Sequence, residues 1–285
     1  MFEKLIGNEQ VKKTLIDAIN SENVSHSYIF SGIEGIGKRQ FAKEFVKNIM
    51  CIENGKCEEK CDSCIKINAN SNPDYTEIEP DGKTIKIDQI RNMQEKVAEK
   101  PIISNKKAYI INDADLMSEE SQNCLLKTLE EPPKYTIIIL VVSNENKLLP
   151  TIKSRCVSVK FNKISDEEIK KHINNISNEQ IKLLGGSLKN IENIQEKEEE
   201  YNVILKVVET LQKGQLLDLL ENADILYTNK DNILELLDYL NVILLEKRII
   251  DPIKIVEETK HKIISNNNYE MSIDNMLIKC WKSIH

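Results

Sequence analysis

The feature of this sequence that most constrains the fold is a glycine-rich segment between a short apolar run and a helical segment. Its pattern is G-x-x-x-x-G-K, with a further glycine inside it. Its defining residues are Gly32, Gly35, Gly37 and Lys38. Such glycines let backbone amides close around phosphate oxygens, while the helix N-terminus attracts the anion and the lysine reaches the terminal phosphates. The segment therefore predicts a P-loop rather than a plain strand-to-helix turn.

The first 160 residues or so alternate short β-rich runs with helical segments. Strands are predicted at 28–30, 108–111, 136–142 and 157–159, and helices at 38–50 and 118–130. This alternation is typical of a parallel sheet covered by helices. The run at 137–142 is apolar on both strand faces, as expected of a buried central strand. The sequence thus predicts an α/β P-loop domain.

Two positions depart from the pattern of an active nucleotide site. The residue after Lys38 should be Ser or Thr, whose hydroxyl binds Mg²⁺, but Arg39 stands there, and a guanidinium cannot ligate a cation. The second nucleotide motif should end in Asp-Glu, but the run 108–111 leads into Asn112 and Asp113. Both departures remove a group that would help to hold the same Mg²⁺ ion. The loop can still accept a nucleotide or a sulfate, but the sequence predicts no ATP hydrolysis by this chain.

Four of the seven cysteines are clustered directly after the first predicted helix, with the spacing C-x₅-C-x₃-C-x₂-C. They are Cys51, Cys57, Cys61 and Cys64. Four thiolates suit tetrahedral Zn²⁺, and a closed four-sulfur site is structural because no position is left for water or substrate. The insert 51–64 is therefore predicted to bind zinc. Four free thiols and an iron–sulfur cluster are the alternatives.

Strand patterns end near residue 163, and helical patterns follow. Ser165 and Glu168 form a capping box, and Gly185-Gly186 interrupts a second helical stretch. An acidic run at 196–200 predicts a solvated helix start. From residue 201, apolar residues recur at helical spacing, which indicates a bundle but leaves open whether its stripes are internal or form an oligomer interface. Trp281 is predicted to pack in that bundle.

Charge and hydropathy exclude several classes of function. The net charge of −7 argues against strong autonomous DNA binding, because phosphate neutralisation normally supplies most non-specific affinity. The charged first residues do not resemble a signal peptide, and the sequence contains no 18-residue uncharged apolar run. A cytoplasmic protein without membrane contact is therefore expected, in which cysteines remain reduced.

Three further motifs carry a family resemblance. Residues 125–133 read LLKTLEEPP, the strand at 136–142 ends in Ser143-Asn144, and Ser154-Arg155-Cys156 follows. Together with the P-loop and the four-cysteine insert, these motifs resemble the bacterial clamp-loader subunits of the AAA+ class, and most of all their delta prime type. The resemblance has specific motifs over 1–160 and is one of architecture only over 161–285.

The resemblance implies an AAA+ domain at 1–162, a small helical lid domain at 163–200 and an all-α collar domain at 201–285. In that family, the delta prime type is the stator of a pentamer with gamma or tau ATPases and a delta subunit. The pentamer loads the sliding clamp on primed DNA, at the replisome on the nucleoid. The arginine of the Ser-Arg-Cys motif enters a neighbour's ATP site, a role that the resemblance transfers to Arg155.

Two family positions that sense nucleotide are in doubt. Ser143 and Asn144 occupy the place of a polar sensor of the γ-phosphate, but with the metal positions changed we expect them to satisfy loop backbone groups. Residues 186–189 resemble a second sensor that normally ends in arginine, and this chain has Lys189. A lysine provides a point charge instead of a bidentate fork.

Two alternatives to the stator remain: an active gamma/tau-type ATPase, and a nucleic-acid-binding module.

Overall fold

The computed structural model describes residues 1–53, 57, 59–172, 176, 181, 186–187, 198–265 and 268–285. Contacts group residues 1–169 into one compact unit and residues 198–285 into a second. The first unit contains five strands: β1 (Ser27–Ser31), β2 (Tyr75–Ile78), β3 (Lys107–Ile111), β4 (Thr136–Val142) and β5 (Val157–Lys160). Its helices of seven or more residues are α1 (Glu9–Asn20), α2 (Lys38–Ile49), α3 (Asp62–Asn68), α4 (Ile87–Val97) and α5 (Glu119–Glu130). The short helix α6 (Pro150–Lys153) leads to β5.

All five strands are parallel and lie in the order β2-β3-β4-β1-β5. In register, Ile29 of β1 faces Leu140 of β4, and Ile110 of β3 faces Ile139 of β4. The predicted α/β class is confirmed, and β4 is the central strand, as its continuous apolar run predicts.

The sheet is buried on both faces because successive side chains of β4 enter two different cores. Ile137, Ile139 and Val141 pack in the core that contains Phe41 and Phe45 of α2. Ile138, Leu140 and Val142 pack in the second core, with Leu125 of α5 and Ile90 of α4. Period-two alternation thus gives each face its own layer of helices.

Five elements of this unit were not predicted from the sequence: β2, α1, α3, α4 and α6. Strand β2 has only four residues, two of which are half-buried, so it is too short to show a clear alternation of apolar and polar residues. Helices α1 and α4 are amphipathic and bury only Val11 and Leu15, and Ile90, Met93 and Val97, respectively. These elements complete the sheet and its layers.

The second unit is helical in its described part. Its helices are Glu198–Lys213, Leu216–Asn222, Asp224–Thr228, Ile233–Glu246, Asp251–Ile264 and Tyr269–Ile284. The helical spacing left open whether the apolar stripes are internal or form an oligomer interface. In helix Ile233–Glu246 the stripe is buried inside this unit, at Ile233, Leu236, Leu237, Leu240, Ile243 and Leu244. Trp281 packs in the bundle as expected, with its indole N–H donating to the Gly214 carbonyl at 3.2 Å.

Residues 163–197 are described only in part. The capping box is confirmed: the Ser165 amide donates to Glu168 Oε2 at 2.9 Å, the Glu168 amide donates to the Ser165 hydroxyl at 3.3 Å, and helix α7 spans Asp166–His172. Gly186 has a φ of 83°, as a helix-breaking glycine permits. Gly185, Lys189 and Glu196 lie outside the described residues. Within the described ranges, none of the helices has the length and apolar character needed to cross a membrane.

Candidate functional site

The site lies at the carboxyl edge of the sheet. The P-loop leaves β1 there, Asn112 follows β3, and Ser143 follows β4. The carboxyl ends of parallel strands are where doubly wound sheets place their ligand crevice. The topology therefore brings residues from three segments of the chain to one edge.

The P-loop backbone takes the conformation that its glycines allow. Gly35 and Gly37 have φ angles of 77° and 86°, which side chains rarely adopt. A Cβ added at Gly32 would lie 2.6 Å from Cδ1 of Ile36 and 2.8 Å from the Phe161 carbonyl oxygen, so only glycine fits beneath the loop. The loop is therefore fixed both by backbone geometry and by close packing.

Lys38 opens α2 and is only 5% exposed. Its ammonium donates to the carbonyls of Gly32 at 2.7 Å and Ile33 at 2.6 Å, both within the loop itself. Burial lowers the pKa of Lys38, and the nearby carboxylates of Asp113, Asp115 and Glu34 partly oppose that shift. In this conformation, the lysine that would reach a phosphate stabilises the loop instead.

Arg39 is held by two carboxylates of the β2 region. Its Nε donates to Glu77 Oε2 at 2.7 Å, and its Nη2 lies 2.7 Å from the same oxygen and 2.6 Å from Glu79 Oε1. A positive charge thus occupies the loop position that would carry the metal-binding hydroxyl.

Asn112 reaches the same carboxylate, because its Nδ2 donates to Glu77 Oε2 at 3.0 Å. Glu77 also accepts a hydrogen bond from the Tyr75 hydroxyl through its other oxygen, Oε1. Burial alone would raise the pKa of Glu77, but the Tyr75 hydrogen bond and the charge of Arg39 outweigh burial and lower it. The two residues that replace the metal ligands are therefore joined through one ionised side chain.

The polar residues after β4 contact protein groups. The Asn144 side chain accepts a hydrogen bond from the Asn146 amide at 3.1 Å and caps a turn, as expected. At Ser143, the backbone amide makes the contact, donating to Asp115 Oδ1 at 3.1 Å.

Arg155 lies beyond α6, away from the P-loop in sequence, and its guanidinium is bound by three groups of its own domain. Nη2 is 2.6 Å from Glu130 Oε1, at the last residue of α5. Nη1 donates to the Thr151 carbonyl at 2.9 Å and to the Ser154 hydroxyl at 3.3 Å. The side chain of Arg155 is 33% exposed, so part of it remains accessible from solvent.

The four clustered cysteines form a compact sulfur group between α2 and α3. All four Sγ atoms lie within 4.8 Å of one another, with Cys51 to Cys57 at 3.3 Å and Cys57 to Cys64 at 3.6 Å. Zn–S bonds of about 2.3 Å in a tetrahedron place sulfurs about 3.8 Å apart, so the spacing fits such an ion. All four are free thiols, and this cluster is able to hold a metal such as zinc.

The thiols of this cluster differ in acidity. Burial alone would raise the pKa of Cys57, but hydrogen bonds from the Cys61 amide and neighbouring thiols lower it to about 6. Burial raises the pKa of Cys64. Outside the cluster, burial raises the pKa of Cys156 to about 11 and of Cys280 to about 12, so these two are poor nucleophiles at neutral pH.

Three acidic residues in these sites escaped the sequence analysis: Glu77, Glu79 and Glu130. Glu77 and Glu79 belong to or follow a four-residue strand with little pattern. Glu130 lies inside the LLKTLEEPP motif, which marks the family and does not by itself point to Arg155. Only the tertiary contacts link these residues to their partners.

A five-stranded parallel sheet with a P-loop after β1 and a helical region beyond defines a P-loop α/β protein of the AAA+ class. The sequence model of the family described as DNA polymerase III, delta subunit, matches residues 7–165. The chain therefore belongs to this family of clamp-loader subunits.

Curated relatives carry related names. A DNA polymerase III subunit gamma/tau of Mycoplasma genitalium is 39% identical over 185 residues, 64% of this chain and 31% of the relative. A DNA polymerase III subunit delta' of Bacillus subtilis is 36% identical over 186 residues, 64% of this chain and 56% of the relative. The matched segment of this chain thus spans between about a third and just over half the length of these relatives.

A solved structure from Thermotoga maritima, a DNA polymerase III gamma subunit-related protein, superposes with a TM-score of 0.52 at 20% identity. The superposition covers 95% of this chain and 99% of that one. At this identity the likeness concerns the fold alone, and it extends beyond the P-loop domain.

Proposed function

We propose that this chain is a delta prime-type subunit of the DNA polymerase III clamp loader, which does not hydrolyse ATP itself and supplies Arg155 in trans to a neighbouring ATPase subunit. Its partners are gamma/tau-type and delta-type subunits, and it meets the sliding clamp and primed DNA through the complex. The site of action is the cytoplasm, at the replisome on the nucleoid. The relatives named delta' and gamma/tau support a clamp-loader subunit, and the one named delta' supports the delta prime type.

The observation that carries the proposal is the joining of Arg39 and Asn112 through Glu77. A hydrolytic P-loop needs oxygen ligands on Mg²⁺ at these two positions. Here a guanidinium lies 2.7 Å from Glu77, and an amide nitrogen lies 3.0 Å from the same oxygen. Both nitrogens donate hydrogen bonds and cannot ligate a cation, and Asn112 lacks the negative charge of the acid that it replaces. A divalent ion placed among them would meet a fixed positive charge.

Arg155 supports the second half of the proposal. An arginine supplied across an interface stabilises the charge on a transferring γ-phosphate and is worth roughly 10³–10⁵ in rate in the GTPase example. Arg155 is partly exposed at the end of the Ser-Arg-Cys motif, outside the chain's own P-loop. The chain therefore combines an intact donor arginine with a nucleotide site whose metal positions are altered.

The four-cysteine cluster completes the proposal, with Zn²⁺ as a structural ion. Cys51, Cys57, Cys61 and Cys64 would supply its four sulfur ligands, tying the insert to the end of α2. Bound there, zinc would neutralise thiolates that repel one another at these distances. With four sulfur ligands, the ion would have no open coordination position for catalysis.

An active gamma/tau-type ATPase is the alternative, favoured by the 39% identity to a subunit of that name. The two proposals differ in the metal dependence of nucleotide binding. Isothermal titration of the full chain with ADP, in Mg²⁺ and in EDTA, measures that dependence directly. The stator proposal predicts no gain in affinity from Mg²⁺ and no ATP turnover by the chain alone.

The double variant Arg39→Thr with Asn112→Asp serves as the matched comparison. It restores a hydroxyl and a carboxylate at the metal positions and releases Glu77, so we expect Mg²⁺ to tighten ADP binding to this variant only. Magnesium-dependent binding to the unaltered chain, with turnover that Lys38→Ala abolishes, would establish the ATPase alternative.

A further inference from the structure

The guanidinium of Arg155 is not free on the surface but is held against its own domain by a carboxylate. Glu130 lies 2.6 Å away, and the backbone of Thr151 and the hydroxyl of Ser154 take the other nitrogen. Arg155 follows α6 and Glu130 ends α5, so two helix ends fix the orientation of one side chain. Nothing in the sequence motifs assigns this role to Glu130.

We propose that Glu130 is a positioning residue that holds Arg155 in a resting orientation and competes for it with the γ-phosphate of a nucleotide on the neighbouring subunit. This inference rests on the function proposed above. Arg155 leaves the carboxylate when the phosphate arrives, so each encounter with nucleotide includes the breaking of the ion pair.

The strength of the pair suits such an exchange. Glu130 is 50% exposed and Arg155 33% exposed, and ion pairs between such groups are weak in water. A triphosphate carries more charge and offers bidentate geometry to a guanidinium, so it outcompetes a single carboxylate oxygen. A fully buried pair would have held the arginine permanently.

Competition between two acceptors has a definite kinetic consequence. If a resting pair must break before the phosphate is bound, the apparent affinity for the nucleotide is reduced by the stability of that pair. For an exposed pair the reduction is at most about fivefold. The rate of the chemical step is unaffected, because the pair is already broken when the phosphate is transferred.

The experiment uses the clamp loader reconstituted from the full chain with gamma-type and delta-type partners, with clamp and primed DNA present. Steady-state ATPase is measured against ATP concentration for the unaltered chain, Glu130→Gln and Glu131→Gln. Glu131 is the matched control because it is the adjacent exposed carboxylate, and among the described residues it makes no ion pair with Arg155. Arg155→Ala is run in parallel.

We expect Glu130→Gln to lower the ATP concentration at half-maximal turnover by up to about fivefold, with kcat within about twofold of the unaltered complex. The difference should shrink as salt is raised, since salt screens exposed pairs. A profile identical to that of Glu131→Gln overturns the inference, and so does a fall in kcat at constant KM. If Arg155→Ala itself is without effect, the proposed function fails. Because this result comes from a different variant than Glu130→Gln, failure of the proposed function can be told apart from failure of the inference about Glu130.

A second measurement needs no partner subunits, so a variant that fails to assemble still tests the inference. In the isolated full chain, the Nη hydrogens of Arg155 should show restricted rotation by NMR. In Glu130→Gln they should resemble a freely rotating arginine. An Arg155 that already rotates freely in the unaltered chain overturns the inference.

Discussion

Arg39 illustrates how a single residue can change the chemistry of a P-loop without changing its shape. The glycines around it keep the P-loop conformation, with φ of 86° at Gly37, but the residue that should hold a metal carries its own positive charge. Glu77 compensates that charge and ties it to Asn112. The result is a P-loop in which the charge of Arg39 is paired within the protein.

Glu77→Gln should destabilise the protein at neutral pH, because it removes the charge that Arg39, Tyr75 and Asn112 all contact. Hydrogen bonds to a charged group contribute about 1.5–3 kcal/mol, so we expect a loss of about 1–3 kcal/mol in the free energy of unfolding at pH 7. Urea denaturation monitored by circular dichroism measures this loss.

The pH dependence of that loss follows from the lowered pKa of Glu77. A carboxyl with a depressed folded-state pKa stabilises the protein above its unfolded value, about 4.5, and the stabilisation disappears as the pH falls through the folded value. The unaltered chain and Glu77→Gln should therefore converge in stability as the pH falls below about 4.5 and through the lowered folded-state pKa. Glu79→Gln is the control: the Glu79 side chain is 54% exposed, and among the described residues Arg39 is its one ion-pair partner, so the loss should stay below about 1 kcal/mol. A constant difference across pH would contradict the account.

At the residue scale, the sequence revealed which metal-binding groups were replaced but not which residues the replacements contact. Arg39 and Asn112 could be recognised as departures because the spacing of the P-loop and of the second motif is fixed. Their partner Glu77 is 38 residues from Arg39 and 35 from Asn112, and no spacing rule connects them. Glu130 escaped for the same reason, being 25 residues from Arg155.

The cysteine insert is the element whose structure we expect to depend most on a ligand. Its four sulfurs lie within 4.8 Å of one another, and four thiolates at that distance are stable together only around a cation. Between α2 and α3 the segment has few apolar side chains besides the cysteines, so the cluster itself is its core.

We expect one zinc per chain by atomic emission, and a loss of that zinc in Cys64→Ser, with a lower Tm. Acidification should also release the metal, because the ligands must be thiolates. Cys124→Ser is the matched control, since its thiol donates to Gln94 outside the cluster and a hydroxyl can do the same. A chain purified with no bound metal, whose Tm is unchanged by added zinc or by chelator, would refute the structural role.

At the element scale, the long apolar run of β4 was predictable, whereas the short, half-buried strand β2 was not. The seven residues of β4 are buried throughout, so any reading of the run gives a central strand. Strand β2 has only two buried positions, and it joins the sheet because β3 offers a free edge: Glu77 pairs in register with Ile110. That pairing is a tertiary effect, and it is also what places Glu77 beside Asn112.

At the scale of the whole molecule, the chain forms two compact units, each with its own core. The P-loop, the cysteine cluster and Arg155 all belong to the first unit. In the second unit, helix Ile233–Glu246 directs its apolar stripe inward, while Leu245, Ile250 and Met271 are exposed. Division of labour between the units, with 201–285 as the collar, remains a proposal.

Truncation after residue 200 should leave a folded fragment that no longer co-elutes with gamma-type and delta-type partners. The reason is that the first unit contains both cores of the sheet, whereas assembly is assigned to the helical region. Size-exclusion chromatography with circular dichroism checks both points, and full-length Arg155→Ala should still co-elute. Retained co-elution of the fragment would refute the collar assignment.

The most direct test of the central claim is the clamp- and primer-stimulated ATPase of the reconstituted complex, comparing the unaltered chain with Arg155→Ala and Lys38→Ala after assembly of each has been verified. We predict that Arg155→Ala lowers turnover at the adjoining site by at least about 10³-fold, as loss of a trans arginine does. Lys38→Ala should leave turnover unchanged. Damage by Lys38→Ala, with Arg155→Ala unaffected, would contradict the account and show that this chain uses nucleotide itself.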